Sequence, residues 1–223
     1  MLSDRSIALS AEGLAPARRV DQNAVVFIAR GGAPRLEFPE ASRIMAEIML
    51  PAGTVPTLET ERLRLRAHRL EDFEACTAMW ADPVVTRHIG GKPFSREETW
   101  SKILRYAGHW ALMGFGYWAV EDKATGTFLG EGGFAEFRRD VQPPIEGTPE
   151  IGWALVPSAH GKGLATEAVR ALCTWADQHF GSTPTVCLID PENIASAWVA
   201  KKCGYQEFRR ATYKDHPTVL YRR

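Results

Sequence analysis

The chain predicts a mixed α/β domain of the α+β type, with a central sheet of six to seven strands flanked by about four helices. Three observations carry that prediction. An apolar strand-like run at 151–156 passes through a loop holding Gly161 and Gly163 into an amphipathic helical pattern. From residue 58 onward the segments read strand, two helices, three strands, helix, strand, helix and two strands, with the apolar period switching between two and 3.6. Hydrophobic residues at 45% and charged residues at 24% are ordinary globular values, and 223 residues are ample for one core.

Residues 1–57 stand apart, having no Trp, Tyr, Cys or Lys, whereas the remainder holds seven Trp, five Tyr, four Cys and seven Lys. A short strand at 23–30 and a short helix at 39–50 before Pro51 are the only elements suggested there, with too little apolar surface to offset their ordering entropy alone. Three readings stay open: a flexible tail, a lid packed on the domain, or an upstream extension of a reading frame whose natural start is Met45 or Met49. The division is therefore an extension at 1–57 and a folded domain at 58–223.

Residues 61–66 alternate polar and apolar, the period of a half-buried strand. Leu70, Phe73, Thr77 and Trp80 fall at helical spacing before Pro83. Ser95 and Glu98 form a capping box, opening a helix through Trp100, Ile103, Leu104 and Ala107 that ends near Gly114. Residues 117–121 and 127–130 flank a turn as a hairpin whose second strand runs on to Phe137, and its glycines suggest a bulge or a close approach of another backbone. A proline-bearing loop at 138–148 precedes the strand at 150–156. The helix from Leu164 to Phe180 presents Ala165, Val169, Leu172, Cys173, Ala176 and Phe180 on its apolar side and closes at Gly181. A strand at 185–189, a helix at 193–203 and strands at 204–208 and 218–221 complete the order.

The loop between the strand and the helix at 164–180 is where anion chemistry belongs. The first amides of a helix have no intrahelical partner and sit at the positive end of its dipole, so a phosphate gains hydrogen bonds and field together. Glycine lets the backbone approach such a ligand and take positive φ. Two nucleotide motifs fail: there is no Gly-Lys-Ser/Thr after a four-residue spacer, and Thr166 stands where a dinucleotide fingerprint needs its third glycine.

Ser158-Ala-His-Gly161-Lys-Gly163 resembles motif A of the GCN5-related N-acetyltransferases (GNATs), Gln/Arg-x-x-Gly-x-Gly/Ala, with Ser158 in the slot usually held by Gln or Arg. The flanks Pro149-Glu-Ile-Gly-Trp153 and Gly161-Lys-Gly-Leu-Ala-Thr-Glu-Ala168 are similar to the branch that includes the ribosomal-protein acetyltransferases RimJ and RimL, and the resemblance spans about Leu58 to Arg223. It implies a GNAT fold and acetyl-coenzyme A (acetyl-CoA) as cosubstrate. His160, Gly161, Lys162, Gly163, Leu164, Ala165 and Thr166 would border its diphosphate, and free backbone groups at Leu155 and Val156 would pair with the pantetheine where this strand splays from the one at 186–189. A second pattern, Asn193-Ile-Ala-Ser196 leading to Gly204-Tyr205, reads locally as a helix N-cap and stop. Through the resemblance it places Asn193 on the pantetheine arm and Ser196 at the thioester sulfur.

An amine attacking a thioester must be neutral, so a base is required. Glu150 is the first candidate, Glu131 the second, and Ser196 the candidate donor to the leaving thiolate; no residue suggests a covalent nucleophile. Trp110, Phe115, Tyr117 and Trp118 read as core before acceptor pocket, Tyr205 as core, and Asp215 with His216 as a loop that could meet the acceptor. With 27 basic and 27 acidic side chains nothing favours nucleic acid or a membrane surface as partner. No Cys-x-x-Cys pair or His spacing suggests a metal site, so none is expected, and the cysteines read as buried thiols of a reducing cytoplasm. The expected partner is an amine acceptor, either a small molecule or a peptide N-terminus; a homodimer is left open. The chemistry expected is direct acetyl transfer to a primary amine, with a non-catalytic acyl-CoA sensor and a structural protein with an anion-binding helix as competing readings.

Overall fold

A computed structural model describes residues 55–223; the strand expected at 23–30 and the helix expected at 39–50 lie outside the described residues. The elements in chain order are β1 (Leu58–Glu59), β2 (Leu63–Arg66), α1 (Phe73–Trp80), α2 (Pro83–Thr86), α3 (Arg96–Met113), β3 (Tyr117–Asp122), β4 (Phe128–Ala135), β5 (Glu150–Leu155), α4 (Leu164–Phe180), β6 (Val186–Ile189), α5 (Ile194–Lys202), β7 (Gln206–Tyr213) and β8 (His216–Arg222). All eight strands join one sheet in the order β1-β2-β3-β4-β5-β6-β8-β7, antiparallel except for the β5–β6 pair. This is the mixed α/β class expected, with one more strand and one more helix. Two residues of β1 are too few to display a period. The extra helix is a single turn begun by Asp82, whose carboxylate accepts from the Val84 amide, with Pro83 in the first helical position.

The sheet has two unlike faces. On one, α4 buries Leu164, Ala168, Val169, Leu172, Cys173 and Ala176, packing with Leu63, Leu65, Trp118, Phe134 and Ile151 into the main core. Each such large apolar side chain contributes about 1.5–3 kcal/mol on burial. Trp110, Phe115 and Trp118 belong to this core, as expected. Tyr205 is buried as well, its hydroxyl 2.6 Å from Thr185 Oγ1.

The opposite face is covered by α1 and α3, and here the expected apolar stripes are corrected. The chain enters α1 through a 3-10 turn at Leu70–Asp72, which shifts the wheel, so Cys76, Met79 and Trp80 face inward while Leu70 is 45% exposed. In α3 the buried stripe is Thr99, Ile103, Tyr106 and Trp110, and Leu104 is 51% exposed. The capping box is formed: Glu98 N–H donates to Ser95 Oγ at 3.1 Å and Ser95 N–H to Glu98 Oε2 at 2.7 Å.

Strand β4 stops at Ala135, short of Phe137, and the β3–β4 ladder carries a bulge between Val120 and Glu121. A Cβ on Gly133 would strike the Gly116 carbonyl and lie 2.5 Å from Tyr117 Cα, the close approach that its glycines suggested. Strands β7 and β8 are longer than expected and joined by Lys214 and Asp215, both at positive φ (49° and 63°), as a two-residue hairpin turn demands. All four cysteines are buried and unpaired. Among the described residues, no helix is long and apolar enough to cross a membrane.

Candidate active site

Strands β5 and β6 are paired at a single position, Glu150 with Val186, although β5 continues to Leu155 and β6 to Ile189. Beyond that pair they diverge, opening a cleft in the sheet. Val156 N–H donates to Leu129 O at 2.9 Å in β4, so by the alternation of an antiparallel ladder the backbone groups of Ile151, Trp153 and Leu155 turn toward the cleft. Val156 therefore lacks the free backbone expected of it: its amide serves β4 and its carbonyl accepts from Ala159 N–H. Leu155 keeps its amide on the cleft side, but its carbonyl meets His160 Nε2 at 2.8 Å. His160 thus braces the loop through its ring.

The loop then delivers its amides to one place. Gly161 and Gly163 both take positive φ (72° and 77°), a conformation that costs any residue with a Cβ about 1–2 kcal/mol. Gly163 is the N-cap of the 17-residue α4, and the first helical bond is Glu167 N–H to Gly163 O, which leaves the Leu164, Ala165 and Thr166 amides at the open end. The turn is tied to the sheet edge by Glu167. Its carboxylate accepts from Thr60 Oγ1 (2.6 Å), Arg62 N (2.9 Å) and Arg62 Nε (2.7 Å), while Arg62 Nη1 donates to the Lys162 carbonyl. Burial pushes the Glu167 carboxyl up, and these donors outweigh it, holding it below the usual range. The Lys162 side chain is exposed.

Across the cleft, Asn193 caps α5 by accepting from Ser196 N–H at 3.0 Å, and both side chains are half-buried. Further out, His88 Nδ1 lies 3.1 Å from Asp190 Oδ2, joining the segment after α2 to the residue following β6.

The two candidate bases occupy different settings. Glu150 is buried and gripped by Arg139, whose Nε and Nη2 donate to its two oxygens at 2.6 and 2.8 Å. Arg139 is itself stacked between Phe137 (4.5 Å) and Tyr213 (4.9 Å). Glu131 is 1% exposed, and its Cα pairs with Ala154 of β5. Tyr106 donates its hydroxyl to one oxygen, Lys102 Nζ lies 3.7 Å from that same oxygen, and His68 Nε2 lies 3.6 Å from the other. Glu131 Oε2 and His68 Nε2 are buried without a hydrogen-bond partner. Burial raises the Glu131 carboxyl, and His68, the Lys102 ammonium and Tyr106 together bring it below the ordinary value, so it stands ionised. Tyr106, buried against that carboxylate, has its hydroxyl pushed far up and stays a donor.

Sequence spacing did not single out His68, Lys102, Tyr106 or Arg139 for this face: Lys102 and Tyr106 share one side of α3, but His68 and Arg139 come from two other segments. Tyr117, assigned to core, stacks on Tyr106 at 4.5 Å and belongs to the same face. The fold also gathers His68, Cys76 and Glu131 within 4.8 Å of one another, although no metal-ligand spacing links them in the chain. Burial holds the Cys76 proton on sulfur, and the Lys102 cation already neighbours that carboxylate. Asp215 and His216 sit at the β7–β8 turn.

Comparison with known proteins adds a family. Residues 62–206 match the acetyltransferase (GNAT) domain. An uncharacterized N-acetyltransferase, p20 of Bacillus licheniformis, is 28% identical over 152 residues, covering 68% of this chain and 83% of that protein. A crystal structure of an acetyltransferase from Agrobacterium tumefaciens strain C58 superposes with a TM-score of 0.65 at 31% identity, covering 75% of this chain and 94% of its own. RimL, a ribosomal L7/L12 alpha-N-protein acetyltransferase solved in complex with coenzyme A, shares the fold at a TM-score of 0.61 and 18% identity, covering 75% of this chain and 97% of its own.

Proposed function

This chain belongs to the acetyltransferase (GNAT) domain family, and from that premise we propose that it transfers the acetyl group of acetyl-CoA directly to a primary amine, on a small molecule or a peptide N-terminus. The observation that carries the reading is the cleft between β5 and β6, which opens past Glu150 and leads straight to the free amides of α4. In this reading the amides from Gly161 to Thr166 hold the diphosphate, with Lys162 adding charge from the rim. Trp153 and Leu155 offer backbone groups to the pantetheine, and Asn193 turns its amide nitrogen to the same arm, its oxygen being used in the cap.

Glu131 is the preferred base, ahead of Glu150. Both oxygens of Glu150 are engaged by Arg139, which suits it to positioning the acceptor side. Glu131 keeps one oxygen without a partner, directly across the ladder from Ala154, and can take the amine proton there. Ser196, half-buried on the opposite wall, donates to the leaving thiolate. The bound cosubstrate supplies an activated acyl group, and the chain supplies orientation, a base and a donor.

The test is calorimetry with acetyl-CoA, followed by thiol release across a panel of small amines and N-terminal peptides. Submicromolar to micromolar binding with turnover for at least one amine is expected. Absence of any heat with acetyl-CoA would refute the reading, and tight binding with no turnover across the panel would replace it with the acyl-CoA sensor.

A further inference from the structure

The acceptor face already contains an amine. Lys102 projects from α3 with its side chain 13% exposed, and its nitrogen sits 4.1 Å from the Trp80 ring centre, 5.3 Å from Tyr106 and 5.8 Å from Phe94. It approaches Glu131 to 3.7 Å, too far for a hydrogen bond. The same lysine lines an open recess of about 560 Å³ with Phe94, Ser95, Glu98, Ser101 and Arg105.

Two observations separate this arrangement from an ordinary ion pair. Trp80, which walls the lysine, shares a buried cluster with Ala154 of β5, and Ala154 is the ladder partner of Glu131. Adjacent strands lie about 4.8 Å apart, so an amine held against Glu131 stands beside the strand that borders the cleft. Three buried polar atoms around it, Trp80 Nε1, His68 Nε2 and Glu131 Oε2, also lack any partner, as expected of a site built for a group that comes and goes.

We propose that Lys102 is a self-modification site: without an acceptor in the recess, the enzyme acetylates its own Lys102 amine. This rests on the acetyl-CoA reading above. The lone pair of the neutral Lys102 nitrogen forms a bond to the thioester carbonyl carbon, and the carbon–sulfur bond breaks with its electron pair leaving on sulfur. The proton lost by nitrogen passes through the Glu131 carboxylate to that thiolate, so the products are N-acetyl-lysine and free coenzyme A. Burial and the neighbouring Arg105 and Arg139 bring the Lys102 amine down to about 8 against the pull of Glu131. A far larger share of it is therefore neutral near pH 7.5 than the roughly one part in a thousand of an ordinary lysine. Acetylation would remove the Lys102 charge from Glu131 and fill the recess.

The experiment uses the full chain with isotopically labelled acetyl-CoA and no added amine, followed by peptide mapping of every lysine over time at several protein concentrations. Lys102 is expected to be labelled at least about tenfold faster than the exposed Lys92, Lys201 and Lys202, at a rate independent of dilution, and addition of a competent amine should slow it. K102R should lose the fast label; if that variant does not fold, mapping of the wild-type chain alone decides. Equal slow labelling of all lysines, or an unlabelled Lys102 in a protein that binds acetyl-CoA and acetylates added amines, overturns the inference and leaves the proposed function standing. A protein giving no heat with acetyl-CoA fails both.

Discussion

The cleft side and the proposed acceptor face are built by opposite means. On the cleft side nearly everything comes from one stretch, residues 150–167, and acts through backbone: splayed strand, glycine loop, open helix end. The proposed acceptor face is made of side chains from β2 to β5, from α1 and α3, and from the segment between β2 and α1 that carries His68 and Asp72. Such a face must be held by tertiary contacts, and buried ion pairs supply them. Arg66 donates to Asp72 at 2.7 and 2.9 Å and to Glu121 at 2.5 Å, all three side chains being buried. The lesson is that removing a packing or ion-pair partner on the proposed acceptor face should reach the fold, whereas damage in the loop should cost the fold little and reach chiefly the ligand.

The sharpest test of that contrast is Gly133→Val, which drives a side chain into the Gly116 carbonyl beneath the acceptor face. It is expected to abolish the cooperative thermal transition seen by circular dichroism; a folded variant melting within a few degrees of the parent would break the comparison. Next, Arg66→Ala leaves Asp72 and Glu121 buried without their cation and should cost about 3–5 kcal/mol in denaturant unfolding. Glu131→Gln preserves shape while removing the proposed base, so kcat should fall by about 10² or more, or about 2.7 kcal/mol, with acetyl-CoA affinity unchanged. Loss of affinity instead would move Glu131 out of the chemistry.

Gly161→Ala is the counterpart in the loop. No atom lies within 4 Å of the added methyl group, so the chain should fold normally apart from about 1–2 kcal/mol of backbone strain. Acetyl-CoA should bind about tenfold more weakly by calorimetry, equivalent to about 1.4 kcal/mol. An unchanged Kd would show that the loop does not meet the diphosphate.

The smallest effect expected is that of Glu167→Gln, about 1 kcal/mol. The folded Glu167 carboxyl lies below the ordinary 4.5, so an unfolded chain takes up its proton first as pH falls. Its stabilisation is therefore complete above about pH 4.5 and is lost as pH drops through the folded value. Unfolding free energies of parent and variant should converge in that acid range and differ at pH 7; a difference that persists at low pH would contradict the assignment.

Local rules reached far into this molecule where the cause is local. The capping box at Ser95 and Glu98, the turn at Asp122, the helix from Leu164 to Phe180 and the N-cap at Asn193 each follow from side chains a few residues apart. The phase of α1 was not legible, because a single 3-10 turn at its entrance rotates the buried stripe from Leu70 to Cys76 and Met79. The free backbone expected at Val156 failed for a similar reason: which carbonyls face a cleft depends on ladder register, and a pleat alternates with every residue.

Read alone, the chain determined its class, the order of its longer elements and the glycine loop at a helix start, since each of these depends on neighbours in sequence. Only the folded arrangement decided that Glu150 is locked by Arg139, that Glu131 keeps an oxygen without a partner, and that Lys102 lies in an aromatic box beside it. Burial and charge at such a spot are sums over side chains that meet only after the sheet closes, Arg139 and Glu150 being 11 residues apart and Tyr106 and Glu131 25, and no local period records them.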